Sequence, residues 1–209
     1  MGTRRIANWT KVGGMGLIAV MAATLIAAQD GAYEPNYAKI MLTPYKGSNV
    51  APRLAAARHR FPLKVIVLED GVYFNAHYFE IVKSACDAWT KATKNVAQGG
   101  VTLACTSSND PKNADVIFRF GTMRDSFGFD GFTSEQGSFA LIRLAVRDDG
   151  NLPVAPDRLK RIAMHEFGHA LGIWGHSPNP NDIMSLDEDT RSISTADVNT
   201  LLIAYSKAP

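Results

Sequence analysis

Residues 165–176 read HEFGHALGIWGH and hold three of the five histidines in the chain. On an α-helix, His165 and His169 stand at i and i+4, so both imidazoles leave one face. That spacing suits two adjacent corners of a tetrahedral zinc site. Glu166 is turned away from the pair but can reach a zinc-bound water as general base. Gly172 lets the helix stop by adopting a positive φ. The chain can then turn back so that His176 adds a third nitrogen, with the fourth position open for water. Asp182 or Asp187 is the alternative, offering oxygen in place of His176. A helix carrying two surface or capping histidines would account for HExxH alone. It does not account for the glycine and the third histidine that follow.

HEFGHALG followed by GHS resembles the matrixin-type metzincins, zinc-dependent endopeptidases with the pattern HExxHxxGxxH. Residues 182–185, DIMS, resemble the Met-turn of that family, a tight turn that would place Met184 beneath the zinc ligands. Residues 193–205 resemble the closing C-terminal helix. The chain departs from the family pattern at one place. The third histidine is due three residues after the glycine, where this chain has Gly175. His176 comes one residue later, with Trp174 as the extra residue, in a loop that can absorb it. A ligand set using Glu188 is discounted, because that residue lies beyond the Met-turn. The resemblance covers residues 61–207, and only 165–185 are specific.

Working outward, 61–68 is a short β-rich run. Residues 75–95 have helical spacing, with Phe79, Val82, Cys86 and Trp89 recurring at threes and fours. Gly99-Gly100 breaks the chain. Strands are expected through 101–105, 115–120 and 139–146, and the glycine-rich, polar stretch 121–137 reads as a loop. Pro156-Asp157 opens the helix that carries the histidines. This order of elements is that of the resembled family. It implies an α+β metzincin-like fold: a twisted mixed sheet with two long helices, then the Met-turn and a C-terminal helix. His59 and His77 are isolated and read as structural or exposed.

Residues 1–29 have another character. Arg4, Arg5 and Lys11 are their only charges, and 12–28 is an uncharged run of small and apolar residues. That is the plan of a secretory signal peptide, with a retained N-terminal anchor as the rival reading. Residues 30–60 read as a linker, an arm or a short pro-segment, and 61–209 as the catalytic domain. The full chain has 22 Lys plus Arg against 20 Asp plus Glu. The three basic residues of the first segment account for the excess, so the remainder is slightly acidic. No basic stripe argues for nucleic acid, and membrane contact is expected only if the N-terminal segment is retained. The sequence therefore predicts a secreted or periplasmic monomer.

Cys86 and Cys105 form an even pair. In an exported chain they are expected as one disulfide, or else as two small buried apolar residues. Residues 125–131, DSFGFDG, offer oxygen ligands of the kind calcium takes, as the resemblance implies. Their spacing matches no dedicated calcium motif, and a solvated turn is the first reading. The second, structural zinc of the family would need histidines near this loop. None lies between His77 and His165, so one catalytic zinc is expected. The expected activity is hydrolysis of peptide bonds in a protein or peptide substrate, with Glu166 as base. Two other readings share the motif: a zinc-binding domain with a binding or adhesion role, and a hydrolase acting on a non-peptide bond.

Overall fold

The computed structural model describes residues 34–41, 61–94, 100–136, 138–187 and 189–206. The segment read as an export signal and most of 30–60 lie outside them, as does Glu188. Five strands are present: β1 Leu63–Leu68, β2 Leu103–Ser108, β3 Val116–Thr122, β4 Gly131–Gln136 and β5 Phe139–Arg147. They form one sheet in the order β2-β1-β3-β5-β4. The first four in that order run parallel, and β4 alone is antiparallel, lying along β5 at the sheet edge. The helices are α1 Ala38–Met41, α2 Ala76–Thr93, α3 Pro156–Leu171 and α4 Thr195–Ser206. The chain is thus a mixed α+β fold with a largely parallel sheet.

Alternation along the strands decides which side chains meet the helices. Val65, Val67, Val116, Phe118, Ile142 and Leu144 point into the main core with Val82, Trp89 and Phe167. Ile66, Leu68 and Ile117 point the other way and form a smaller cluster. The Phe118 and Phe167 rings, from β3 and α3, meet with centroids 4.6 Å apart. Helix α2 begins where the Asn75 side chain accepts the Tyr78 amide at 2.9 Å, a capping bond that satisfies one of the helix's free donors. Its Trp89 is fully buried, and the indole N–H donates to the Met164 carbonyl at 2.8 Å. This bond fixes α2 against α3. Truncating Trp89 to alanine would cost about 3–5 kcal/mol.

The loop expected at 121–137 is corrected. Met123–Ser126 is a 3-10 turn and Gly131–Gln136 is the edge strand β4. An edge strand is paired on one side only and is largely half-buried here, so GFTSEQ needs no clean hydrophobic alternation. Asp125 caps the preceding turn by accepting the Thr122 amide and hydroxyl at 2.7 and 2.8 Å. Asp130 accepts from Arg158 at 2.6 Å. The two carboxylates considered for calcium are thus engaged in separate structural contacts. Where a Cys86–Cys105 disulfide is expected, the structure has two free thiols. They lie close enough to hydrogen-bond, and burial first, then Cys105, pushes the Cys86 thiol up. His77 is exposed at the start of α2. Among the described residues, no helix is long and apolar enough to cross a membrane.

Candidate metal centre

Helix α3 begins with Pro at its first turn and ends at Gly172, which has φ 117°. The Gly172 and Ile173 amides bond back to the last turn of the helix, Ile173 to the Gly168 carbonyl at 2.9 Å. This is the left-handed stop that a glycine permits. The returning loop is pinned by Ser177. Its amide donates to the Met184 carbonyl at 2.9 Å and its hydroxyl to the Asp182 carboxylate. The residue after His176 is therefore tied to the turn 182–185, and the one-residue extension is taken up between Gly172 and that anchor. Trp174 lies half-buried beside His169, the two rings nearly parallel with centroids 6.3 Å apart.

These constraints bring His165, His169 and His176 together. One ring nitrogen from each lies within 4.8 Å of the others. Among the described residues this is the one group of three or more His, Cys, Asp or Glu side chains close enough to share a metal ion. Neither Asp182 nor Asp187 joins it. Asp182 takes the Ser177 hydroxyl, and the Asp187 side chain accepts the Asp189 amide at 3.1 Å. His165 Nδ1 sits 2.9 Å from the Ile183 carbonyl and His169 Nδ1 2.6 Å from the Ile173 carbonyl. A carbonyl accepts only from N–H, so each ring carries its proton on Nδ1 and presents a bare Nε2 to the centre. The donor set suits a borderline metal ion that favours imidazole nitrogen.

Electrostatics favour the same state. Burial, then the neighbouring His169, holds His165 well below the ordinary histidine pKa of 6.5. Burial also lowers that of His169, against the opposing pull of its bond to Ile173. His176 opens to the cleft on one side but is crowded on the other. Partial desolvation, then His169 and Arg161, pushes it down to about 4. All three rings are neutral near pH 7, as metal ligation requires.

Glu166 is 5% exposed. Burial raises its pKa to about 7, with the Thr133 hydroxyl and Arg161 pulling the other way. A carboxyl poised there can gain and lose a proton at neutral pH. The histidines and Glu166 line a cavity of about 400 Å³. Phe129, Phe132, Trp174 and Leu186 also line it. Strand β4, at the edge of the described sheet, borders the cavity through Gly131, Phe132 and Thr133.

Met184 is fully buried. It reaches the helix through Gly168, where an added Cβ would stand 2.1 Å from the Met184 sulfur. The second free position of HExxH therefore has to be small for the methionine to pack against the helix there. Sequence reasoning gave Gly168 no role. It also missed Asp197, which is fully buried on α4. The Asp197 carboxylate accepts from the Ile183 amide at 2.9 Å, the Met184 amide at 3.3 Å and the Ser194 amide at 2.8 Å. The Tyr37 hydroxyl adds a fourth bond at 2.6 Å. Ser194 Oγ accepts the Asp197 amide in return at 3.0 Å. This reciprocal pair was readable as S-x-x-D at a helix start. Tyr37 had no readable signal. It is buried against α4, where its amide also donates to Thr200 Oγ1 at 3.0 Å. No protein-family model and no curated protein matches the chain.

Proposed function

We propose that the chain is an exported zinc endopeptidase with a metzincin-type, matrixin-like catalytic domain. The observation that carries the reading is the convergence of three neutral imidazoles beside a buried, proton-accepting Glu166, at the wall of an open cleft. His165, His169 and His176 would hold the ion. A zinc ion bound there would supply Lewis acidity. Glu166 would take a proton from the attacking water and then deliver it to the leaving amine. The ring protons on Nδ1 stay with the Ile183 and Ile173 carbonyls throughout, which keeps the imidazoles oriented.

A peptide is the favoured substrate because the edge strand of the described sheet borders the cleft. An extended chain could pair along β4 while one of its side chains enters the cavity. Met184 beneath the helix and the sequence of elements support the fold-type reading. The test is a digest of proteome-derived peptides by the zinc-loaded protein, with and without a chelator, followed by product sequencing. Internal cleavage that the chelator stops is the expected result. A digest unchanged by the protein would overturn the proposal.

A further inference from the structure

We infer that Thr133 is a positioning residue that clamps the Glu166 carboxylate in its working orientation, an inference that rests on the reading of Glu166 as general base. Thr133 lies on β4, outside the histidine motif, and is 8% exposed. Its hydroxyl oxygen is 2.6 Å from Glu166 Oε2 and 3.1 Å from the Glu166 carbonyl oxygen. A hydroxyl has one proton to donate. The shorter contact, to the charged acceptor, takes it. Among the described residues this is the one hydrogen bond to the Glu166 carboxylate.

The strand grips the rest of the side chain as well. Gly131 and Thr133 are two residues apart, so they share the face of β4 that meets α3. A Cβ added at Gly131 would stand 2.7 Å from Glu166 Cγ, Oε1 and Ile162 Cγ2. The bare backbone at 131 leaves room for the Glu166 stem and one carboxylate oxygen, while Thr133 holds the other. With Oε2 bonded, the lone pairs of Oε1 remain for the proton that Glu166 must collect. The bond to Thr133 survives that transfer, because protonation at Oε1 leaves Oε2 an acceptor. A base held this way needs no reorientation between accepting the proton and giving it up.

The test uses the zinc-loaded full chain with Thr133→Val, which keeps size and branching but loses the hydroxyl, and Thr133→Ser, which keeps the hydroxyl. Valine suits a strand, and circular dichroism with a melting curve checks the fold. If the clamp operates, Thr133→Val lowers kcat roughly 10- to 100-fold, with KM and zinc content unchanged, and Thr133→Ser restores most of the rate. A Thr133→Val protein with wild-type kcat overturns the clamp, as does a Thr133→Ser protein no better than Thr133→Val. Acetohydroxamate provides a readout without turnover, since it chelates the metal and hydrogen-bonds the adjacent carboxylate. Calorimetry should show its affinity weakened about tenfold in Thr133→Val and recovered in Thr133→Ser. Should the wild type cleave no peptide, the endopeptidase reading fails. The clamp is then decided by acetohydroxamate, and equal affinity in wild type and Thr133→Val overturns it.

Discussion

Two buried carboxylates flank the histidine centre, and they are supplied very differently. Asp197, on α4, receives four donors: the Ile183, Met184 and Ser194 amides and the Tyr37 hydroxyl. Glu166, on α3, receives the hydroxyl of Thr133. A carboxylate that accepts several hydrogen bonds braces the backbone groups that donate to it. A buried carboxylate with little support keeps its appetite for a proton, and the pKa of Glu166 accordingly rises to about 7. The Asp197 side of the centre is therefore architecture, and the Glu166 side is where the proposed chemistry would take place. The two sides join through Ile183, whose amide binds Asp197 and whose carbonyl orients His165.

Changes on the two sides should separate function from stability. The largest functional effect on the α3 side is His169→Ala. It should abolish bound zinc by elemental analysis while leaving the circular dichroism of the fold intact. Unchanged zinc content would remove His169 from the ligand set.

The pH dependence of the metal-free protein comes next. The three histidines have lowered pKa values, so the stability they confer is full above their unfolded value of 6.5 and is lost as pH falls below it, through about 4 for His176. Glu166 acts oppositely. Its raised pKa favours the fold below its ordinary 4.5, and that contribution fades as pH rises through about 7. Three imidazoles outweigh one carboxyl, so urea midpoints should rise with pH between about 4 and 6.5. They should rise more steeply in Glu166→Gln. A flat profile would mean that the histidines are not held neutral.

On the α4 side, Asp197→Asn replaces an acceptor by a group that presents a donor to part of the same nest. It should cost about 2–3 kcal/mol, and by loosening Ile183 it should also weaken zinc binding. Chemical denaturation with metal titration checks both, and a variant as stable as wild type would dismiss the brace. Tyr37→Phe is the smallest change, removing one of the four donors. It should cost about 1 kcal/mol, seen as a melting temperature a few degrees lower. No shift would mean that the 34–41 segment does not brace the centre.

The legible half of this site is the half written in local spacing. His165, Glu166 and His169 follow from helix geometry, Gly172 from the need for a left-handed stop, and Asn75–Asn95 from a 3.6-residue apolar rhythm that the structure realises as Ala76–Thr93. Apart from β4, the order of the strands and long helices was readable for the same reason. What stayed hidden depends on contacts distant in the chain. Strand β4 owes its existence to pairing with β5, and its polar sequence resembles a loop until that partner is present. Thr133 meets Glu166 across 33 residues and Tyr37 meets Asp197 across 160. Neither leaves a periodic trace. Gly168 is hidden in another way, since the motif leaves that position free and only the Met184 sulfur shows why it must be small.

The most direct trial of the central claim is Glu166→Gln beside wild type, both loaded with zinc and assayed on the same peptide. Glutamine keeps the shape and the metal but cannot take the proton. Equal zinc content and a loss of hydrolysis of roughly 100- to 10,000-fold are expected. A Glu166→Gln protein that carries zinc and cleaves at the wild-type rate would contradict the central claim.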